Sequence, residues 1–323
     1  MNLRTIHAKY LIWATCLAVL AVPCAANCSD NGKANIAYAE GNQQFDRGQF
    51  PQALASYKQA IAEDPNFVDA YHNLGLAAEM IDRKQAIEAW KRFIEVAEGK
   101  EQYKFDAGRA RVRMQILERM PPLPEMLQPS RYVAEAGDYY WNISRNSEGE
   151  EWKHFPVKVY LGSAPQMKWQ EGARQAYDTW ASMFPLQLVA LPEQADIRLA
   201  WDGRPLGEKA IGTDMEWVEF ERVGDELTAR RVAVVSVDLR FNWGKDDMRA
   251  IITHELGHAL GIKGHSDTKK DIMYMELQRK TYGTRVAGFP VSIWKSLVKE
   301  PSQRDINTLI RLYNHPGSSV RFK

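Results

Sequence analysis

Three of the seven histidines in this 323-residue chain stand within twelve residues, in the stretch THELGHALGIKGHSDTKKDIMY from Thr253 to Tyr274. Residues four apart on a helix share a face, so His254 and His258 can aim two imidazoles at one point. In the H-E-x-x-H arrangement two such histidines bind zinc. The glutamate, here Glu255, then lies beside the open coordination position and can take a proton from water there. Alone the five residues are a weak signal, since a chain with this histidine content carries them by chance about once in a hundred. Gly261 adds to it by falling where the helix should end, since glycine tolerates the left-handed backbone that turns a chain back. His265 follows on the returning segment. A third histidine completes a site of three protein ligands with one position open, which is the catalytic form of zinc rather than the closed structural form. Asp267 is a second candidate for the third ligand, because carboxylate also binds zinc.

Eight residues past His265 stands Met273, in DIMY. The stretch resembles the metzincin metallopeptidases and, within them, the matrixin-like branch. Their signature is H-E-x-x-H-x-x-G-x-x-H, then serine, then a methionine-bearing turn. His254, Glu255, His258, Gly261, Ser266 and Met273 fit it. ADIRLAW, the helix containing Trp180 and the closing PSQRDINTLIRLYN extend the resemblance over most of Phe155 to Asn314. There is one extra residue after Gly261, so that Gly264 stands where the third ligand should be and His265 comes one later. Glycine has no side chain to ligate with, and its flexibility can absorb the insertion as a bulge. His265 precedes Ser266 as the family's third histidine precedes its serine, which favours it over Asp267.

The resemblance implies one catalytic Zn2+ held by His254, His258 and His265, with Met273 as a floor beneath it. Glu255 would be the general base in the hydrolysis of a peptide or protein substrate. Tyr274 either lines the specificity pocket or belongs to the core. Matrixins commonly carry a second, structural zinc on a histidine-bearing loop, but no histidine lies between Gly162 and Thr253, so none is expected. The surroundings of Cys28, ANCSDNG, do not resemble the cysteine switch of latent matrixins.

Several elements must hold these residues in place. DDMRAIITHELGHALG reads as one helix, with Ile251, Ile252, His254, His258 and Leu260 recurring on it. FPVKVYL, LQLVAL, ADIRLAW and RRVAVVSVDL read as strands, and QEGARQAYDTWASMF as an amphipathic helix. From Ile36 to about Met120 the pattern is helical, with an internal repeat of the length of tetratricopeptide (TPR) helix pairs, a family this segment resembles. Gly41, Gly48, Phe50, Ala53, Tyr57, Ala60 and Pro65 match in the first unit; Tyr71, Leu74, Gly75, Ala86 and Trp90 match in the second. Small residues let paired helices approach while aromatics fill the gap between them. The following KEQYKFDAGRARVRMQILERM is expected to cap the second unit. The proline-rich PPLPEMLQPS then breaks the pattern as a linker does.

The expected fold is therefore α+β. An all-α TPR-like domain at 34–120 is joined by a linker at 121–130 to a metzincin-type domain of mixed sheet and helices at 131–323. The second domain is expected to fold without the first, and the helices could receive a protein partner.

With 42 basic against 41 acidic residues and no basic block, nothing marks a nucleic-acid partner. At the start, Arg4 and Lys9 precede an apolar run from Tyr10 to Pro23 and then small residues, which reads as a signal peptide over 1–26. The run is shorter than the roughly 20 residues a membrane span needs, so no stable span is expected after cleavage. The expected location is secreted or periplasmic. Cleavage after Ala26 leaves Cys28 as the only thiol, and core packing must supply the stability that disulfides give many exported proteins. An alternative function is a TPR binding module whose zinc-bound domain cleaves nothing. The intact Glu255 argues against it, and the lack of a plausible fourth protein ligand argues against a purely structural metal.

Overall fold

The computed structural model describes residues 28–120, 122–147, 151–201, 212–223, 226–240, 242–274, 278–286, 289–295 and 298–315. The expected signal peptide at 1–26 lies outside the described residues. Among them no helix is long and apolar enough to cross a membrane.

The chain is α+β. Its first part is helical: α1 (Cys28–Asp46), α2 (Phe50–Glu63), α3 (Val68–Glu79), α4 (Arg83–Ala97) and α5 (Lys104–Arg119). The repeat residues do what their sizes suggest. A Cβ on Gly41 would stand 2.6 Å from the Tyr57 ring, and one on Gly75 would stand 2.8 Å from the Trp90 indole. Each pair thus closes only because glycine faces an aromatic. Asp82 caps α4 by accepting from Gln85 N at 2.9 Å, satisfying one of the free amides of the first turn. The capping helix α5 packs on α4 and adds Ala107, Ala110 and Leu117 to the helical core.

The second part is built on a five-stranded sheet, with α6 (Tyr140–Ser147) ahead of it. Its strands are β1 (Val157–Tyr160), β2 (Leu186–Leu188), β3 (Ile197–Ala200), β4 (Gly212–Val223) and β5 (Glu226–Val237), in the order β2-β1-β3-β5-β4. The first four in that order run parallel, while β4 is antiparallel to β5 and forms the edge. Val157, Val159, Ile197, Leu199, Ala233 and Val235 bury one side of the sheet against α7 (Met167–Ala181) and α8 (Lys245–Ala259). A separate hairpin pairs β6 (Gln278–Val286) with β7 (Phe289–Lys295), and α9 (Gln303–Asn314) closes the chain.

The expected strands and helices of the second part are present, and the sheet gains β4, which was not anticipated. Within the expected linker, the described residues 122–130 pack against the second part. They include short 3-10 turns at Glu125–Leu127 and Pro129–Arg131, and Leu123 and Leu127 are buried in the core of the second part. Helix α9 belongs to both cores: Leu309, Leu312 and Tyr313 enter that of the sheet, and Ile310 that of the helices.

Candidate metal centre

Helix α8 is fixed at its start, middle and end by three buried indoles. Trp169 Nε1 donates to Trp243 O just before the helix at 3.0 Å, Trp180 Nε1 to Thr253 O at 2.8 Å, and Trp152 Nε1 to Ala259 O at 2.9 Å. A buried indole N–H needs an acceptor, so these bonds orient the helix as well as bury area. The side chain of Asp247 accepts from Gly244 N at 3.1 Å and closes its first turn.

The ring centroids of His254 and His258 lie 4.8 Å apart, those of His254 and His265 5.3 Å, and those of His258 and His265 5.0 Å. One nitrogen from each falls within 4.8 Å of the others, and no other cluster of three or more potential ligands occurs among the described residues. His254 Nδ1 lies 2.7 Å from Ile272 O, and His258 Nδ1 lies 2.6 Å from Ile262 O. A carbonyl only accepts, so each Nδ1 carries the hydrogen and each Nε2 keeps its lone pair. Burial, reinforced by the neighbouring imidazole of His258, pulls the pKa of His254 down to about 3; burial pulls that of His258 down to about 4. His265 is lowered too, by burial. All three are therefore neutral near pH 7, the form a metal ligand requires.

The loop that delivers His265 bends at Gly261, whose φ of 112° is left-handed as expected. Its extra length is laid against α6. Lys263 N donates to Ser147 Oγ at 2.9 Å, and the Gly264 backbone packs on Ile143 so closely that a Cβ would stand 2.8 Å from that side chain. Asp267 turns away: its side chain is 67% exposed and pairs with Arg304 at 3.2 Å. Of the two candidates for the third position, His265 is the one that converges with His254 and His258.

Met273 is fully buried, and its sulfur occupies the space a side chain at position 257 would need. Gly257 thus lets the methionine lie directly against the helix between the two histidines. The turn carrying it is held by α9, since Asp305 accepts from Ile272 N at 3.0 Å, from Met273 N at 3.4 Å and from Tyr139 Oη at 2.6 Å. Ser266 N donates to Met273 O at 2.8 Å, and Arg304 pairs with Asp271 at 2.7 Å, so both ends of the turn are fixed. Tyr274 is half-buried and its backbone bridges Ser266.

Glu255 is buried against β4, where Gly212 leaves room that any larger residue would take from the carboxylate. Burial first, and then the Asp214 carboxylate, push its pKa up to about 8, against the pull of Lys263. Lys263 itself reaches across from the histidine loop to Asp214, and to Glu216 at 2.5 Å. Glu216 also pairs with Arg231 at 2.6 Å. Sequence reading missed this cluster because its carboxylates lie on an edge strand far along the chain. The one available signal was Lys263, the only charged residue between Gly261 and His265.

Residues 153–287 match the family model described as Matrixin, and residues 41–81 match the TPR repeat model. The chain carries a matrixin-like domain behind tetratricopeptide-like helices. Over 117 residues it is 28% identical to Metalloendoproteinase 1-MMP of Arabidopsis thaliana. That match covers 33% of this chain and 32% of the plant protein, so the chain spans about a third of the length of this relative. The matrixin match implies a metalloendopeptidase, and the family normally binds zinc. It includes α8 and the methionine turn but neither α6 nor α9.

Proposed function

We propose that this protein is an exported zinc endopeptidase in which His254, His258 and His265 hold one Zn2+ and Glu255 is the general base. Three neutral imidazoles converging with both Nδ1 atoms of α8 tied to carbonyls are the observation that carries this reading. The donor set fits zinc, with nitrogen ligands only and no fourth protein ligand among the described residues. When bound there, zinc supplies a Lewis acid that polarises a carbonyl and acidifies water to a pKa of about 7.

The chain's own residues do the rest. Glu255 takes the proton from the attacking water and passes it to the amine that leaves when the peptide bond breaks. Its raised pKa suits a group that must both accept and release a proton near neutral pH. Gly212 leaves its carboxylate room, and Lys263 with Asp214 sets the charge around it. Met273 packs beneath the histidines as an apolar support.

Export rests on residues 1–26, and the division at 34–120, 121–130 and 131–323 on the change of pattern along the sequence. The substrate is a peptide or protein; the TPR-like helices offer a surface of the kind that binds protein partners.

Cleavage of a diverse peptide library by the purified protein tests the reading. Activity should be lost on chelation and restored by about one equivalent of zinc per chain. A zinc-loaded protein that cleaves nothing in the library would leave the binding-module alternative in its place.

A further inference from the structure

The last helix has two ends with different duties. At its start, Asp305 holds the amides of Ile272 and Met273 beneath the three histidines. At its far end the contacts are with the TPR-like helices. The Arg311 guanidinium, 1% exposed, lies 5.1 Å from the ring centre of Phe45 in α1 and 5.4 Å from that of Phe50 in α2. Tyr140 and Trp141 complete the surround at 4.9 and 4.7 Å. Its Nη1 pairs with Asp138 at 2.9 Å, while Nε and Nη2 have no hydrogen-bond acceptor among the described residues. Ring faces, rather than further acceptors, therefore hold much of this cation.

One turn later His315 Nδ1 donates to Glu79 of α3 at 2.6 Å. Glu79 also accepts from Trp90 Nε1 at 2.8 Å and pairs with Arg113 of α5, all of them buried. The first helices of successive units, α1, α3 and α5, thus each supply a residue to one cluster around the end of α9.

We propose that the TPR-like helices support the metal centre from behind: they fix α9, and α9 fixes the methionine turn under the histidines. Arg311 and Glu79 are positioning residues acting through Asp305. The matrixin match ends before α9, so this support comes from a part of the chain that the family comparison does not describe. Its consequence for catalysis rests on the peptidase reading, but the mechanical link does not.

The test is amide hydrogen exchange on the full chain without metal, comparing wild type with Arg311→Met, Arg311→Lys and Phe45→Leu. In Arg311→Met and Phe45→Leu the amides of Ile272 and Met273 should exchange about tenfold faster, because the turn opens locally more often. The Val157 amide, bonded to Pro185 O at 2.9 Å in the sheet, serves as the control and should not change. Arg311→Lys should restore part of the protection, and competition with a chelator should show weaker zinc binding in the faster-exchanging variants. If Arg311→Met does not fold, Phe45→Leu reads the same contact from the other side with an apolar group kept in place. Unchanged exchange at Ile272 and Met273, or an equal rise at Val157, would overturn the link. Because the exchange measurement involves no metal or substrate, its outcome is independent of whether the protein cleaves peptides.

Discussion

With His254 and His258 each bonded through Nδ1 to a carbonyl, the proposed zinc site takes its third ligand from the loop that follows, where His265 and Asp267 are the two candidates. Asp267 spends its carboxylate on Arg304 in solvent, whereas His265 faces the other two rings. His265→Ala is expected to weaken zinc binding by a hundredfold or more, leaving Asp267→Ala with about one zinc per chain. Metal content after dialysis checks this. Loss in the Asp267 variant alone would reassign the ligand. The spacing of the histidines was legible because a helix converts an interval of four directly into a shared face. The hydrogen bonds that set their tautomers were not, because Ile262 and Ile272 contribute only backbone and carry no sequence signature.

At the scale of elements, α8, α7 and the parallel strands could be read from periodicity because each buries a face in one core. The edge strand β4 could not. It alternates Asp214, Glu216 and Glu219 with Met215, Trp217 and Phe220, but the apolar residues are the exposed ones, so the pattern points to no core face. Its place beside Glu255 depends on pairing with β5 and on Lys263, which ties it to the histidine loop. Lys263→Met would leave the half-buried Asp214 and Glu216 side by side with one cation fewer, and is expected to cost about 1–2 kcal/mol of stability. Denaturant unfolding measures this, and Lys263→Arg should recover a good part of it. A change below about 0.5 kcal/mol, the scatter of ordinary surface substitutions, would show that the ion pairs do not hold the strand.

Across the whole molecule, the sequence suggested two separable parts joined by a proline-rich linker. The prolines do interrupt the helical pattern, but Leu123 and Leu127 between them are buried, and α9 returns to the first part from the far end of the chain. Such a return is invisible to local pattern because the contacting residues, Glu79 and His315, are 236 positions apart. A chain starting at residue 131 would uncover Ile310, Arg311 and His315 together. The peptidase account itself stands on Glu255, the one group at the centre assigned to move a proton rather than to hold a metal. Its most direct measurement is peptide hydrolysis by the purified, zinc-loaded full chain with Glu255→Gln. The account predicts full zinc content, an unchanged fold and at least about a hundredfold loss of turnover; turnover equal to the wild type in that variant would contradict it.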